Sequence, residues 1–158
     1  MKMRMQHAIL VLFVFLIYSC NTESLNNTVI IESKNAIEVE NELMALVNNY
    51  RINNGLINLE YNSIAYKYAN LHTDYMISKG TTNHDNFSSR ASSFTSEVNA
   101  ILVSENVAKS YEDAPTAFDG WMHSSTHKKA IEGDFTHSAV SVKTDADGVF
   151  YFTQLFYK

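Results

Sequence analysis

A single cysteine, Cys20, stands in the 158 residues. That excludes an intramolecular disulfide, so oxidation cannot hold this fold together. One proline, Pro115, and five glycines exclude a collagenous or proline-rich chain. No glycine-rich loop of the kind that cradles phosphate occurs. His-Glu-x-x-His is missing, which excludes a zincin, and Gly-x-Ser-x-Gly is missing, which excludes a nucleophile elbow. Asp145-Ala146-Asp147-Gly148 begins like a calcium loop. No Glu follows at the twelfth position, so the segment reads as a hairpin turn. No apolar run reaches the roughly 20 residues of a membrane-spanning helix.

The apolar run that does occur, residues 8–17, follows Lys2 and Arg4 and ends at Tyr18-Ser19-Cys20. A basic start, a short apolar core and a small residue before a cut form a signal peptide. Ile17-Tyr18-Ser19-Cys20 resembles a bacterial lipobox, in which the cysteine becomes the lipidated first residue. This makes residues 1–19 a lipoprotein signal peptide and Cys20 a lipidation site. The alternative is an ordinary signal peptide with an incidental cysteine. Residues 20–35, rich in Asn, Ser and Thr, read as a polar tether. Loss of residues 1–19 leaves ten basic against 17 acidic residues, a net charge of −7. A balance so acidic argues against nucleic acid as a partner.

Residues 36–158 are long enough for one domain with its own core. Ile37, Leu43, Leu46, Val47 and Tyr50 recur at helical spacing, and Gly55 can close that helix. Asn62 or Ser63 caps a second helix through about Lys79, with Ile64, Tyr68, Leu71, Tyr75 and Met76 on its apolar face and Gly80 as its stop. Residues 81–99 are polar and read as a long structured loop with one helical turn, anchored by Phe87 and Phe94. Asp113-Ala114-Pro115 starts a third helix that carries Trp121 and Met122. The period then changes to two, and residues 149–157 are dense in aromatic and β-branched side chains. This predicts a C-terminal β-hairpin. Helices first and strands last give an α+β fold.

Three islands carry the chemistry. They are Asn83-His84-Asp85-Asn86-Phe87, Ser104-Glu105-Asn106-Val107-Ala108 and the Trp-x-x-Ser-x-x-His run from Trp121 to His127. Together they resemble the cleft of the CAP superfamily (cysteine-rich secretory proteins, antigen 5 and pathogenesis-related 1 proteins; the SCP domain), in its disulfide-free bacterial branch. The resemblance runs from about Glu38 to Lys158. It implies a three-layer α-β-α sandwich, with His84, Glu105 and His127 facing a central cleft. Ser104 stands where the family usually has Gly. Ser124 stands where many members carry a second Glu, so the four-residue His-Glu-Glu-His cleft is incomplete. Glu105 is expected to accept a bond from a cleft histidine and orient its ring, and Asn106 to brace backbone. His84 and His127 are the expected metal ligands for a weakly bound divalent ion such as zinc. His72, His123, His137 and Trp121 read as structural.

Together with the lipobox at Cys20, the resemblance implies an envelope-anchored, extracytoplasmic binding module, more a binder than an enzyme. Its partners would be the membrane through Cys20 and a small amphiphile, a glycan or a protein. The alternative is a metal-assisted or serine-type hydrolase of peptides or envelope material. Its catalytic candidates are His84, Glu105, Ser124 and His127. A structural or adhesive role for the acidic surface is a third reading.

Overall fold

The computed structural model describes residues 33–158. The signal segment, Cys20 and nearly all of the tether lie outside the described residues. The chain order is α1 (Ile37–Asn53), β1 (Glu60–Tyr61), α2 (Ser63–Lys79), α3 (Phe87–Val98), β2 (Val103–Lys109), α4 (Ala114–Met122), α5 (Ser125–Ile131), β3 (His137–Thr144) and β4 (Phe150–Tyr157). The four strands form one sheet in the order β1-β3-β4-β2. The predicted hairpin is β3 and β4, antiparallel from His137↔Tyr157 to Thr144↔Phe150. The short β1 runs parallel to β3, and β2 runs antiparallel to β4 at the opposite edge.

Strand periodicity of two splits the sheet into two faces. Val140, Val142, Phe152, Phe156 and Ala108 point to one side, where they meet Leu43 and Val47 of α1, Trp121 of α4 and Ile131 of α5. Ala139, Leu155 and Tyr157 point to the other, where they meet Ala65 and Ala69 of α2 and Phe94 of α3. Helices therefore cover both faces, giving the three-layer α-β-α sandwich.

The caps behave as expected at three helices. Asn62 accepts hydrogen bonds from the Ile64 and Ala65 amides at the start of α2, and Gly80 closes it in the left-handed region at φ 67°. Asp113 and Thr116 form a capping box at α4, with Pro115 in its first turn. Gly55, at φ 75°, follows the end of α1.

Three expectations need correction. Residues 87–98 form a helix of 12 residues, not a loop with one turn. Ser and Thr fill half of it, and its apolar anchors are few: Phe94 is buried, and Phe87 and Val98 pack half-buried beside the same cluster. The buried face of α2 is Ala65, Ala69, His72, Thr73, Met76 and Ile77. Leu71, expected in the core, is 58% exposed. Small residues on the inner stripe let the helix lie close to the sheet, where the Thr73 hydroxyl donates to Thr153 Oγ1 at 2.8 Å. Finally, the three-residue spacing of Ser124 and His127 suits one face of a helix, but Ser124 lies outside the helix that carries His127. The chain breaks between α4 and α5, and Ser124 sits in extended backbone (φ −99°, ψ 118°) at the N-cap of α5.

A buried arginine holds α5 in place. Arg51 of α1 donates through Nη1 to the carbonyls of Ile131 at 2.6 Å and Gly133 at 2.9 Å. Its Nε reaches Ile57 O at 2.9 Å and its Nη2 reaches Phe135 O at 3.1 Å. Four carbonyls at the end of α5 and in nearby loops are satisfied by one planar fork.

Candidate functional site

Glu105 lies in the middle of β2, on the face covered by α2 and α3. The strand places its side chain between the loop before α3 and the first turn of α3. His84 Nδ1 donates to Glu105 Oε1 at 2.9 Å. Arg90 grips the same carboxylate with two bonds, Nη1 to Oε2 at 2.7 Å and Nη2 to Oε1 at 3.0 Å. Burial would push the Glu105 carboxyl up. The hydrogen bonds from His84 and Arg90 outweigh it and hold the group below the ordinary glutamate value. The carboxylate is thus charged and fully paired, which a buried acid requires.

The same pairing fixes the tautomer of His84. Its Nδ1 must carry the proton that Glu105 accepts. The neutral ring then presents its Nε2 lone pair away from the carboxylate. The His84 side chain is half exposed, so that nitrogen can meet a ligand.

His72 contributes from α2 and was read from sequence as a helix residue with no role in the site. It is fully buried, and its Nε2 donates to Asn83 O, one residue before His84, at 2.8 Å. The same nitrogen lies 3.6 Å from Glu105 Oε1. Burial keeps its imidazole below the usual histidine pKa, although the Glu105 charge opposes this. Tyr75, one turn on, stacks over the His72 ring at 6.0 Å and donates to Asp85 Oδ2 at 3.0 Å. α2 therefore holds the loop that presents His84. Arg90 and His72 are the residues that sequence reasoning undervalued. The signal for Arg90 was its place one helical turn after Asn86-Phe87. The signal for His72 was its place three residues after Ala69 on the small-residue stripe.

His127 comes from the opposite side of β2. Asn106 follows Glu105 and so points to the other face, where its Nδ2 donates to His127 O at 3.1 Å. Trp121, buried in the core of that face, donates from Nε1 to Val107 O at 3.3 Å. Burial holds the His127 imidazole below the usual histidine value, and a charge on His84 would lower it further. Ser104 is ordinary strand residue here, so this backbone needs no Gly at that point.

Other candidates fall outside this arrangement. Among the described residues, no hydrogen bond joins Ser124 to His127, and Glu105 turns to His84 and Arg90. A Ser124–His127–Glu105 relay is not assembled. His123 is exposed and bonds the Asp119 carbonyl at 2.9 Å. His137 stacks on Tyr157 at 4.7 Å. Among the described residues, no group of three or more His, Cys, Asp or Glu could hold a metal ion. The donor set at the cleft is at most the two imidazoles.

Known proteins share this frame. The chain is 30% identical over 125 residues to an uncharacterized membrane protein of Bacillus subtilis. That match covers 75% of this chain and 34% of the relative, so the chain spans about a third of the relative's length. Among solved structures, an outer surface protein of Borrelia burgdorferi superposes with a TM-score of 0.72 at 20% identity, covering 80% of this chain and 96% of that one. An extracellular protein containing an SCP domain from Bacillus anthracis gives 0.68 at 23% identity, over 77% of this chain and 41% of that one. A cysteine-rich secretory protein from Staphylococcus aureus gives 0.64 at 18% identity, over 77% and 38%. These structures share the fold. The profile of the CAP, cysteine-rich secretory protein family matches residues 44–156, which hold the sheet, His84, Glu105 and His127 alike. The chain therefore belongs to the CAP family, on its disulfide-free bacterial branch.

Proposed function

We propose that this chain is an extracytoplasmic CAP-domain lipoprotein that binds a ligand at the cleft between His84 and His127. The observation that carries this reading is the spending of Glu105 on Arg90 and His84. A carboxylate held charged by an arginine orients a ring well and trades protons poorly. The cleft therefore offers fixed recognition groups, suited to an amphiphile, a glycan or a protein. Placement outside the cytoplasm is supported by the apolar run ending at Cys20 and by relatives described as membrane, outer-surface and extracellular proteins. Cys20 would carry the lipid that holds the domain at the envelope.

His84 Nε2 and the His127 ring would offer two nitrogens to a divalent ion such as zinc. Two protein ligands give a weak, exchangeable site, with water completing it. Hydrolysis is the competing reading and would have to rest on these two histidines.

Zinc calorimetry on the full-length protein in detergent tests the cleft. Weak binding near neutral pH is expected, and it should disappear in His84→Ala and in His127→Ala. His123→Ala and His137→Ala should bind as the parent does. Glu105→Gln should weaken binding about tenfold or more through lost ring orientation. Unchanged binding in the double variant of His84 and His127 would remove the shared site.

A further inference from the structure

We propose that the open edge of β2 receives an extended peptide, which adds to the sheet as a further strand at Val103 and Glu105. This rests on the reading of the cleft as a binding site and names its partner class.

The phase of the β2–β4 ladder is set at its start. Leu102 and Lys158 exchange both main-chain bonds, at 3.3 and 3.1 Å. Reciprocal pairs recur at every second residue of an antiparallel ladder. Ser104↔Phe156, Asn106↔Gln154 and Ala108↔Phe152 therefore face inward to β4. Val103, Glu105, Val107 and Lys109 turn their N–H and C=O groups away from the sheet. Among the described residues β2 is an edge strand, and no further strand meets them.

One of these groups is taken, since Val107 O accepts the Trp121 indole N–H. Among the described residues, the main-chain groups of Val103 and Glu105 have no partner. They are also reachable by water. The Glu105 side chain is 1% exposed while the whole residue is 8% exposed, so what remains accessible is main chain. α5 leans on the later half of β2 through Asn106 and leaves the earlier half uncovered.

The chemistry selects the occupant. Two donor–acceptor pairs stand about 6.8 Å apart along one line, two residues of strand. Extended polypeptide backbone repeats the same pairs at the same spacing. Glycans and acyl chains do not. Arg90 neutralises Glu105, so the edge demands no charge from the peptide. Ile101, 82% exposed, and Leu102, 45% exposed, offer apolar contact at one end. The indole cap on Val107 limits the added strand to four main-chain bonds.

The test uses a randomised short-peptide library displayed against the full-length protein in detergent, then amide NMR on the same protein. Enriched peptides should shift the Val103 and Glu105 amide signals and slow their hydrogen exchange. N-methylation of alternate peptide residues should abolish binding. Val103→Pro should weaken it by about tenfold or more. That substitution removes an outward N–H and no ladder bond. Failure to enrich peptides, equal binding by N-methylated peptides, or unmoved Val103 and Glu105 amides would overturn the proposal. So would palmitate or a chitin oligosaccharide that displaces the peptides while leaving the Val103 amide unmoved. Zinc titration of the His84 and His127 ring signals separates the two readings. If zinc moves them and the peptide arms fail, the cleft stands and the strand docking falls.

Discussion

Arg90 and Glu105 are joined by two nearly parallel hydrogen bonds, at 2.7 and 3.0 Å, inside the α2–α3 side of the sheet. The acid is buried and the guanidinium is mostly so. Removing one partner of such a pair strands the other. Arg90→Ala should therefore cost about 3–5 kcal/mol. Urea unfolding of the parent and variant measures this. A cost below about 1 kcal/mol would show that His84 alone satisfies Glu105.

Acidification should act first on the buried His72. Its folded pKa is depressed by burial, while in the unfolded chain it titrates near 6.5. Between those values the unfolded state binds the extra proton, so stability falls as pH drops below about 6.5. Glu105, also depressed, adds a second loss that begins near its unfolded value of about 4.3. His72→Gln keeps a donor for the Asn83 carbonyl and cannot charge. It should flatten the stability profile between about pH 7 and 5 and leave the acid limb in place. A profile identical to the parent would assign that slope elsewhere, to His127 first.

Trp121 should be a structural residue. It is buried beside Phe152 and Phe156, as their shared face of the hairpin predicts. Trp121→Ala should cost roughly 3–5 kcal/mol. It also frees Val107 O, so Trp121→Phe, which keeps most of the volume, should still cost about 1 kcal/mol through the lost bond. Thermal unfolding of both variants checks the order.

Arg51 predicts a failure of conservative exchange. Arg51→Lys keeps the charge and cannot reach four carbonyls with a planar fork. It should cost about 1–3 kcal/mol for each carbonyl left unsatisfied. A variant as stable as the parent would mean that water replaces the fork.

Anchoring is tested apart from the domain. In its native host the protein should fractionate with membranes and incorporate labelled fatty acid. Cys20→Ser should release it or leave it unprocessed. A soluble, unlabelled parent would remove the lipid from Cys20.

Elements with strong punctuation were legible in the sequence. Asn62, Gly80 and the Asp113–Pro115 start all cap the helices they mark. The alternation of β3 and the aromatic density of β4 survive intact. α3 was not legible, because Ser and Thr fill it and its N-cap Asn86, in left-handed backbone, makes no side-chain cap bond. β2 hid behind Ser104-Glu105-Asn106, where three polar residues in a row erase the alternation. Two of the three are polar for a local reason: Glu105 pairs with His84 and Arg90, and Asn106 braces α5. His84 and Glu105 were found through their motifs. His72 was not, because no motif shows that a carbonyl waits across the loop.

The consecutive placement of Glu105 and Asn106 makes β2 a gauge for the spacing of the segments that carry His84 and His127. One residue clamps the loop of His84 on one side of the sheet, and the next clamps the backbone of His127 on the other. The separation of the two imidazoles is thus written in the pleat of a single strand, not in the lengths of the segments that carry them. Extra residues in the loop before His84 can bulge outward without changing it. A one-residue slip of β2 against β4 would turn Glu105 and Asn106 to the opposite faces and undo both clamps at once.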